Sequence, residues 1–136
     1  MNDSYFFIVG EPIAEDIYRR IAPERRSKYI GVVDDALARN ISKGNTGNAG
    51  LFTTASDMVP FCSMIMNGGK YNGIRILKAR TIKKMVKVVD PRFGRALGWD
   101  VASANSRMKG HSFSPETIVH GGFVGTLLVI DIKNKD

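Results

Sequence analysis

The side chains here that could do chemistry are few. His120 stands in the run His120-Gly121-Gly122-Phe123-Val124-Gly125. An imidazole can carry a proton near neutral pH, and glycines beside it let a ligand approach the main chain. Taken alone, His120 reads as a satisfied, partly buried histidine. Cys62 is the single cysteine, so an intrachain disulfide is impossible and a cysteine-based metal site lacks its other ligands. It falls on the apolar side of a helical pattern and reads as a small core residue. The stretch Gly44 to Gly50 is glycine-rich. It fails as a phosphate cradle because no Gly-Lys-Ser/Thr follows it. Arg19, Arg20, Arg25, Arg26 and Lys28 form the most basic run, which reads as a solvated helix face in preference to a phosphate-binding patch. No cofactor and no metal are expected.

The chain has 136 residues, enough for about one domain. Twenty Lys and Arg against 13 Asp and Glu give 20 − 13 = +7. That charge attracts anions without specifying nucleic acid; no nucleic-acid motif or basic–aromatic interleaving accompanies it. The N-terminus carries Asp3 where a signal peptide is basic, and its apolar run is short for one. No run reaches the roughly 18 apolar residues of a membrane helix. Localisation is left open by these features.

The elements that must position these groups follow in order. Ser4 to Val9 reads as a short strand or buried arm. Glu11 to Ile21, with Ile13, Ile17 and Ile21 one turn apart, reads as a helix ended by Pro23. Tyr29 to Val33 suggests a strand, Asp34 to Arg39 a helical turn, and Ile41 to Gly50 a loop. Thr54 or Ser56 can cap the next helix, and Pro60 argues for the later start. Met58, Phe61, Cys62, Ile65 and Met66 form its apolar stripe, with Met64 off it, and Asn67-Gly68-Gly69 stops it. Tyr71-Asn72-Gly73 predicts a turn, Ile74 to Leu77 an extended piece, and Thr81 to Val89 a second amphipathic helix closed by Pro91. Arg92 to Ser114 reads mostly as exposed loop, with one strand around Trp99. Thr117 to Val119 and Val124 to Ile132 predict a hairpin whose second, nearly all-apolar strand reads as central in a larger sheet than this chain supplies.

Gly47-Asn48-Ala49-Gly50-Leu51-Phe52-Thr53-Thr54-Ala55-Ser56-Asp57-Met58 resembles the "GxAGLFSTAxDLxxF" segment of the serine beta-lactamase-like and penicillin-binding family, in its class C and esterase-like branch. Phe61 and Met66-Asn67-Gly68-Gly69 continue the likeness. Gly73-Ile74-Arg75-Ile76-Leu77 resembles "GxRIL", and Leu97-Gly98-Trp99 resembles "GLGW". His120 to Thr126 resembles "HTGFTGT", the third catalytic motif. Upstream, Arg20 to Glu24 and Val33 to Ala36 resemble "RIAPTE" and "VHDxNA". The likeness covers nearly the whole chain, and its force lies in the order and spacing of the pieces.

The resemblance implies a partial beta-lactamase/transpeptidase-like fold of α+β class, with a helical region and an antiparallel sheet hairpin. It implies one incomplete domain over residues 1–136, mostly helix and loop over 1–95 and sheet-forming over 96–136. It implies that His120 lines an acyl-transfer site and donates a hydrogen bond beside the bound acyl group. The Phe123 backbone N–H would stand at the oxyanion-hole position, where such a donor is worth roughly 3 kcal/mol in a transition state. Gly121 and Gly122 would border the substrate. Gly121 departs from the family, which has threonine there and so offers a hydroxyl to a substrate carboxylate. The family's nucleophilic Ser-x-x-Lys and its Tyr-x-Asn are expected N-terminal to residue 1. Ser106-Arg107-Met108-Lys109 matches the first pattern literally but lies in a polar stretch, without the burial that lowers a lysine pKa.

The expected function is therefore the C-terminal part of a serine hydrolase, inactive alone, whose parent transfers acyl groups from a beta-lactam, a peptidoglycan peptide or a small ester. The alternatives are a non-catalytic binding or regulatory module on the same scaffold, and a basic nucleic-acid-binding protein. The expected partners are the complementary N-terminal half, or a second copy met through exposed sheet edges. No nucleic acid and no membrane segment enter this reading.

Overall fold

A computed structural model describes residues 5–6, 32–42 and 46–134. The predicted helix at Glu11–Ile21, the basic run and Tyr29 to Gly31 lie outside them. Helices and antiparallel sheets make the fold α+β. The chain divides into two compact units, Met1–Met58 and Val59–Asp136.

In the first unit, β1 (Tyr5–Phe6) pairs antiparallel with β2 (Leu51–Phe52). Helix α1 (Ala36–Ser42) begins where Asp35 Oδ1 accepts the Ala38 N–H at 2.6 Å, satisfying one of the donors a helix start leaves free. The Arg39 guanidinium donates to the Val33 and Asp34 carbonyls just ahead of the helix. Helix α2 (Ala55–Met66) starts here and continues into the second unit. Its start corrects the later one argued from Pro60. Thr54 is the cap: its Oγ1 accepts the Asp57 N–H at 3.2 Å, and its carbonyl accepts the Met58 N–H. Pro60 sits inside the helix, and the Ser56 carbonyl loses its intrahelical partner there. Ser56 is exposed, so water can serve that carbonyl.

In the second unit, α2 ends as its sequence requires. Gly69 N–H reaches back to the Met64 carbonyl and Gly68 N–H to that of Ile65, with Gly68 at φ +60°; this paired closure uses a left-handed residue. A hairpin of β3 (Lys70–Tyr71) and β4 (Ile74–Arg75) follows. Its Asn72-Gly73 turn has both φ values positive, +47° and +79°, the twist that suits a two-residue hairpin. Helix α3 (Ala79–Val86) is shorter than the apolar periodicity predicts. Val89 lies beyond it and is 67% exposed. Its N–H is used by the Arg95 carbonyl, so the chain leaves the helix to border the sheet.

That sheet has the order β5-β6-β7-β8, from β5 (Arg95–Ala96), β6 (Trp99–Asp100), β7 (Ile118–Gly121) and β8 (Leu127–Ile130), all antiparallel. A 3-10 helix spans Ala104–Lys109. Much of the Arg92–Ser114 stretch predicted as exposed loop is thus ordered. Its glycine and serine content hides short strands whose buried members are Ala96, Trp99, Asp100 and Val101. β8 stands at the edge of this sheet among the described residues; the central place its apolar run calls for needs more sheet than they supply.

Strand parity divides the sheet into two faces. Ala96, Trp99, Val101, Ile118 and Ile130 share one face and join Met64, Ile65 and Ile82 in the core. Met64, which the predicted stripe leaves out, is only 6% exposed. Phe61 and Trp99 stack with ring centroids 6.5 Å apart. Val119 lies on the other face, fully buried, on the strand that neighbours the 3-10 helix.

Candidate active-site wall

β7 carries the histidine-glycine motif, and the ladder shows how its main chain is aimed. Gly122 N–H donates to the Thr126 carbonyl at 2.7 Å. Hydrogen-bonded pairs alternate along an antiparallel ladder. His120–Leu128 and Ile118–Ile130 are therefore bonded pairs, and the polar groups of Val119 and Gly121 point toward β6. β6 meets β7 only at Asp100–Val119. Beyond that pair the N–H and carbonyl of Gly121 face the side where the ladder has stopped.

His120 is exposed, on the face of the sheet that carries Ile118, and its strand partner is Leu128. Gly121 faces the 3-10 helix. Its φ is not in the left-handed region, so its backbone does not require glycine. Its neighbour is close: a Cβ there would lie 2.9 Å from Met108 Cε and 3.2 Å from its Sδ, so the tip of that flexible side chain would have to shift. At Gly122 a Cβ would lie 2.1 Å from Thr126 Oγ1, so this glycine is needed for the tight return of the hairpin. Phe123, at the tip, is fully exposed, and its N–H donates to nothing among the described residues. His120, Gly121, Gly122 and Phe123 thus lie together at one end of β7. No nucleophile–base pair accompanies them among the described side-chain hydrogen bonds.

Ser106 and Lys109 have other duties. Ser106 is buried, which the polar stretch around it does not suggest, and its Oγ donates to the Ser103 carbonyl at 2.7 Å. Lys109 Nζ donates to the carbonyls of Val101 at 3.0 Å, Thr117 at 3.2 Å and Pro115 at 3.4 Å. The lysine pins the 3-10 helix to the entry of β7.

Two carboxylates that sequence reasoning passed over hold the surrounding frame. Asp100, 3% exposed, accepts from Arg95 at 2.9 Å and from the Ser103 hydroxyl. Asp131, 1% exposed, closes the end of β8. It accepts from Ser114 N–H and Oγ, from the N–H groups of Lys133 and Asn134, and from Asn134 Nδ2. Burial pushes the Asp131 carboxyl up, but the Ser114 hydroxyl and the Ser114 and Asn134 donors outweigh it. They hold the carboxyl well below the usual carboxylate range. A hint was present in sequence: Asp131 precedes Lys133-Asn134, a turn-like end to an apolar strand. Cys62 is partly buried and its thiol is pushed up by that burial, as suits a packing residue. Among the described residues no group of three His, Cys, Asp or Glu could hold a metal ion, and no helix is long and apolar enough to cross a membrane.

Comparison with known proteins gives the class. No family model matches the chain. Two Escherichia coli proteins, from O157:H7 and from strain K12, are each 36% identical over 115 residues. So is a protein of Salmonella gallinarum strain 287/91. Each bears the name "Putative D-alanyl-D-alanine carboxypeptidase", and each match covers 81% of this chain and 26% of the relative. The chain belongs to the beta-lactamase-like and penicillin-binding family that the motif order pointed to. It spans about a quarter of the length of the relatives it matches.

Proposed function

We propose that this chain supplies one wall of an acyl-transfer site in a serine hydrolase of the D-alanyl-D-alanine carboxypeptidase kind. The observation that carries the reading is the extended match to proteins of that name, which takes in 81% of this chain. Within the wall, the Gly121 N–H and carbonyl offer main-chain pairing to an extended substrate beside the point where β6 stops. The Phe123 N–H is the donor for a developing oxyanion, and His120 adds a hydrogen bond beside the acyl group. The substrate is a peptidoglycan-type peptide, a beta-lactam or a small ester. The attacking hydroxyl and the second base come from a complementary segment bearing Ser-x-x-Lys and Tyr-x-Asn, and residues 1–136 form part of one such domain with it.

Support for this division of labour comes from Ser106 and Lys109. Their polar atoms are committed to the carbonyls of Ser103, Val101, Pro115 and Thr117. A serine is activated by an adjacent base, and Lys109 is engaged elsewhere. The test is intact-mass analysis after exposure to a fluorescent penicillin and to an activated ester. The chain alone should gain no adduct. Mixed with a segment carrying the two missing motifs, it should support acylation of that segment's serine. An adduct on Ser106 of the lone chain, or a reconstituted pair that never acylates, overturns the proposal.

A further inference from the structure

We infer that Met108 is an oxidation-sensitive latch between the 3-10 helix and β7. The inference is independent of the acyl-transfer reading. The helix is held along the β7 face that carries Thr117, Val119 and Gly121. At the entry of the strand the Lys109 ammonium bonds the Thr117 carbonyl. At its exit the Met108 thioether sits against Gly121, in space that a single added carbon would overfill. Val119 is fully buried between the two points.

Met108 is also the most exposed methionine among the described residues. Met108 is 49% exposed and Met64 only 6%, while Met58, Met66 and Met85 are intermediate. Methionine oxidation follows access to the sulfur. A peroxide is the co-reactant: an S–O bond forms, the O–O bond breaks and water leaves, so sulfur is oxidised and the peroxide reduced. The product replaces a soft apolar group by a polar one that carries an extra oxygen. An oxygen on the sulfur must either share the side of the thioether that lies against Gly121, beside the buried Val119, or turn the side chain away from the strand. A polar sulfoxide is better served by water, and as it turns outward the helix loses its contact at the exit of β7 while Lys109 still holds the entry. Reduction by a methionine sulfoxide reductase restores the thioether and the latch.

The full chain is treated with hydrogen peroxide. Oxidation at each methionine is followed by peptide mass, and main-chain opening by amide hydrogen exchange. Met108 should gain one oxygen about tenfold faster than Met64. In singly oxidised protein, exchange over Ile118–Gly121 should rise several-fold while the β3–β4 hairpin is unchanged, and reductase treatment should reverse both effects. Met108→Leu, which keeps the packing and lacks the sulfur, should show no rise under the same exposure. The inference is overturned if Met108 oxidises no faster than Met64. It is equally overturned if complete oxidation at Met108 leaves exchange in β7 unchanged, or if Met108→Leu responds as the natural protein does.

Discussion

Replacing Lys109 by methionine separates a structural lysine from a catalytic one. The substitution keeps most of the unbranched stem and removes the ammonium, so packing changes little. What is lost is donation to Val101 at 3.0 Å, Thr117 at 3.2 Å and Pro115 at 3.4 Å. The last is long enough to count for little. A hydrogen bond from a charged donor contributes roughly 1.5–3 kcal/mol when well buried. Lys109 is half-buried, so about 1–1.5 kcal/mol for each of the two shorter bonds is apt. The expected loss is therefore about 2–3 kcal/mol, roughly 30- to 140-fold in the unfolding equilibrium. Trp99, the single tryptophan and 6% exposed, reports unfolding of the second unit in urea. Lys84→Met, at an exposed position on α3, is the control and should stay within about 0.5 kcal/mol. If Lys109→Met shifts the curve no more than the control does, the ammonium is not pinned to those carbonyls and the structural assignment fails.

Other perturbations bear on the same frame. Gly121→Thr should cost no more than about 1 kcal/mol, because the Met108 tip it meets can swing aside, and that cost should vanish in a Met108→Ala background; a larger cost that persists there would contradict the contact. Ile118→Ala, at a fully buried site in the core, should cost about 3 kcal/mol in urea unfolding. Asp131→Asn should be less stable than the natural chain at pH 7. Because folding lowers the Asp131 pKa, its contribution is full above the unfolded value of about 3.9 and fades as pH falls through the lower folded value. Unfolding curves from pH 7 to pH 2 should therefore converge, and curves that stay parallel would contradict the assignment.

The parts of the fold legible in the sequence are those set by local chemistry. Asn72-Gly73 specifies its turn, Gly68-Gly69 specifies the end of α2, and Ile65 and Ile82 mark their buried faces. Legibility fails where a distant partner decides. It fails too where two local signals compete: Pro60 favours a late helix start, and the Thr54 cap sets the earlier one. Val89 continues an apolar period, but its N–H is claimed by Arg95, so the helix stops short. Leu127 to Ile130 has the composition of a strand buried on both faces, yet Leu127 is 47% exposed and β8 borders the sheet among the described residues, because composition records what a strand can bury and not which neighbours it meets. The site divides in the same way. The motif around His120 is visible as a string and lies on one strand. Met108 is invisible as its neighbour, since only the folded sheet brings a thioether onto Gly121.

The two borders of the four-stranded sheet are unlike. At β5 the carbonyl of Arg95 is already taken by Val89, and Asp90 bridges to it. At β8 the ladder aims the N–H and carbonyl groups of Leu127 and Val129 away from β7, on a strand without a charge or a proline. Any strand that pairs there meets main-chain donors and acceptors and no charged side chain, so its register is set by the ladder alone.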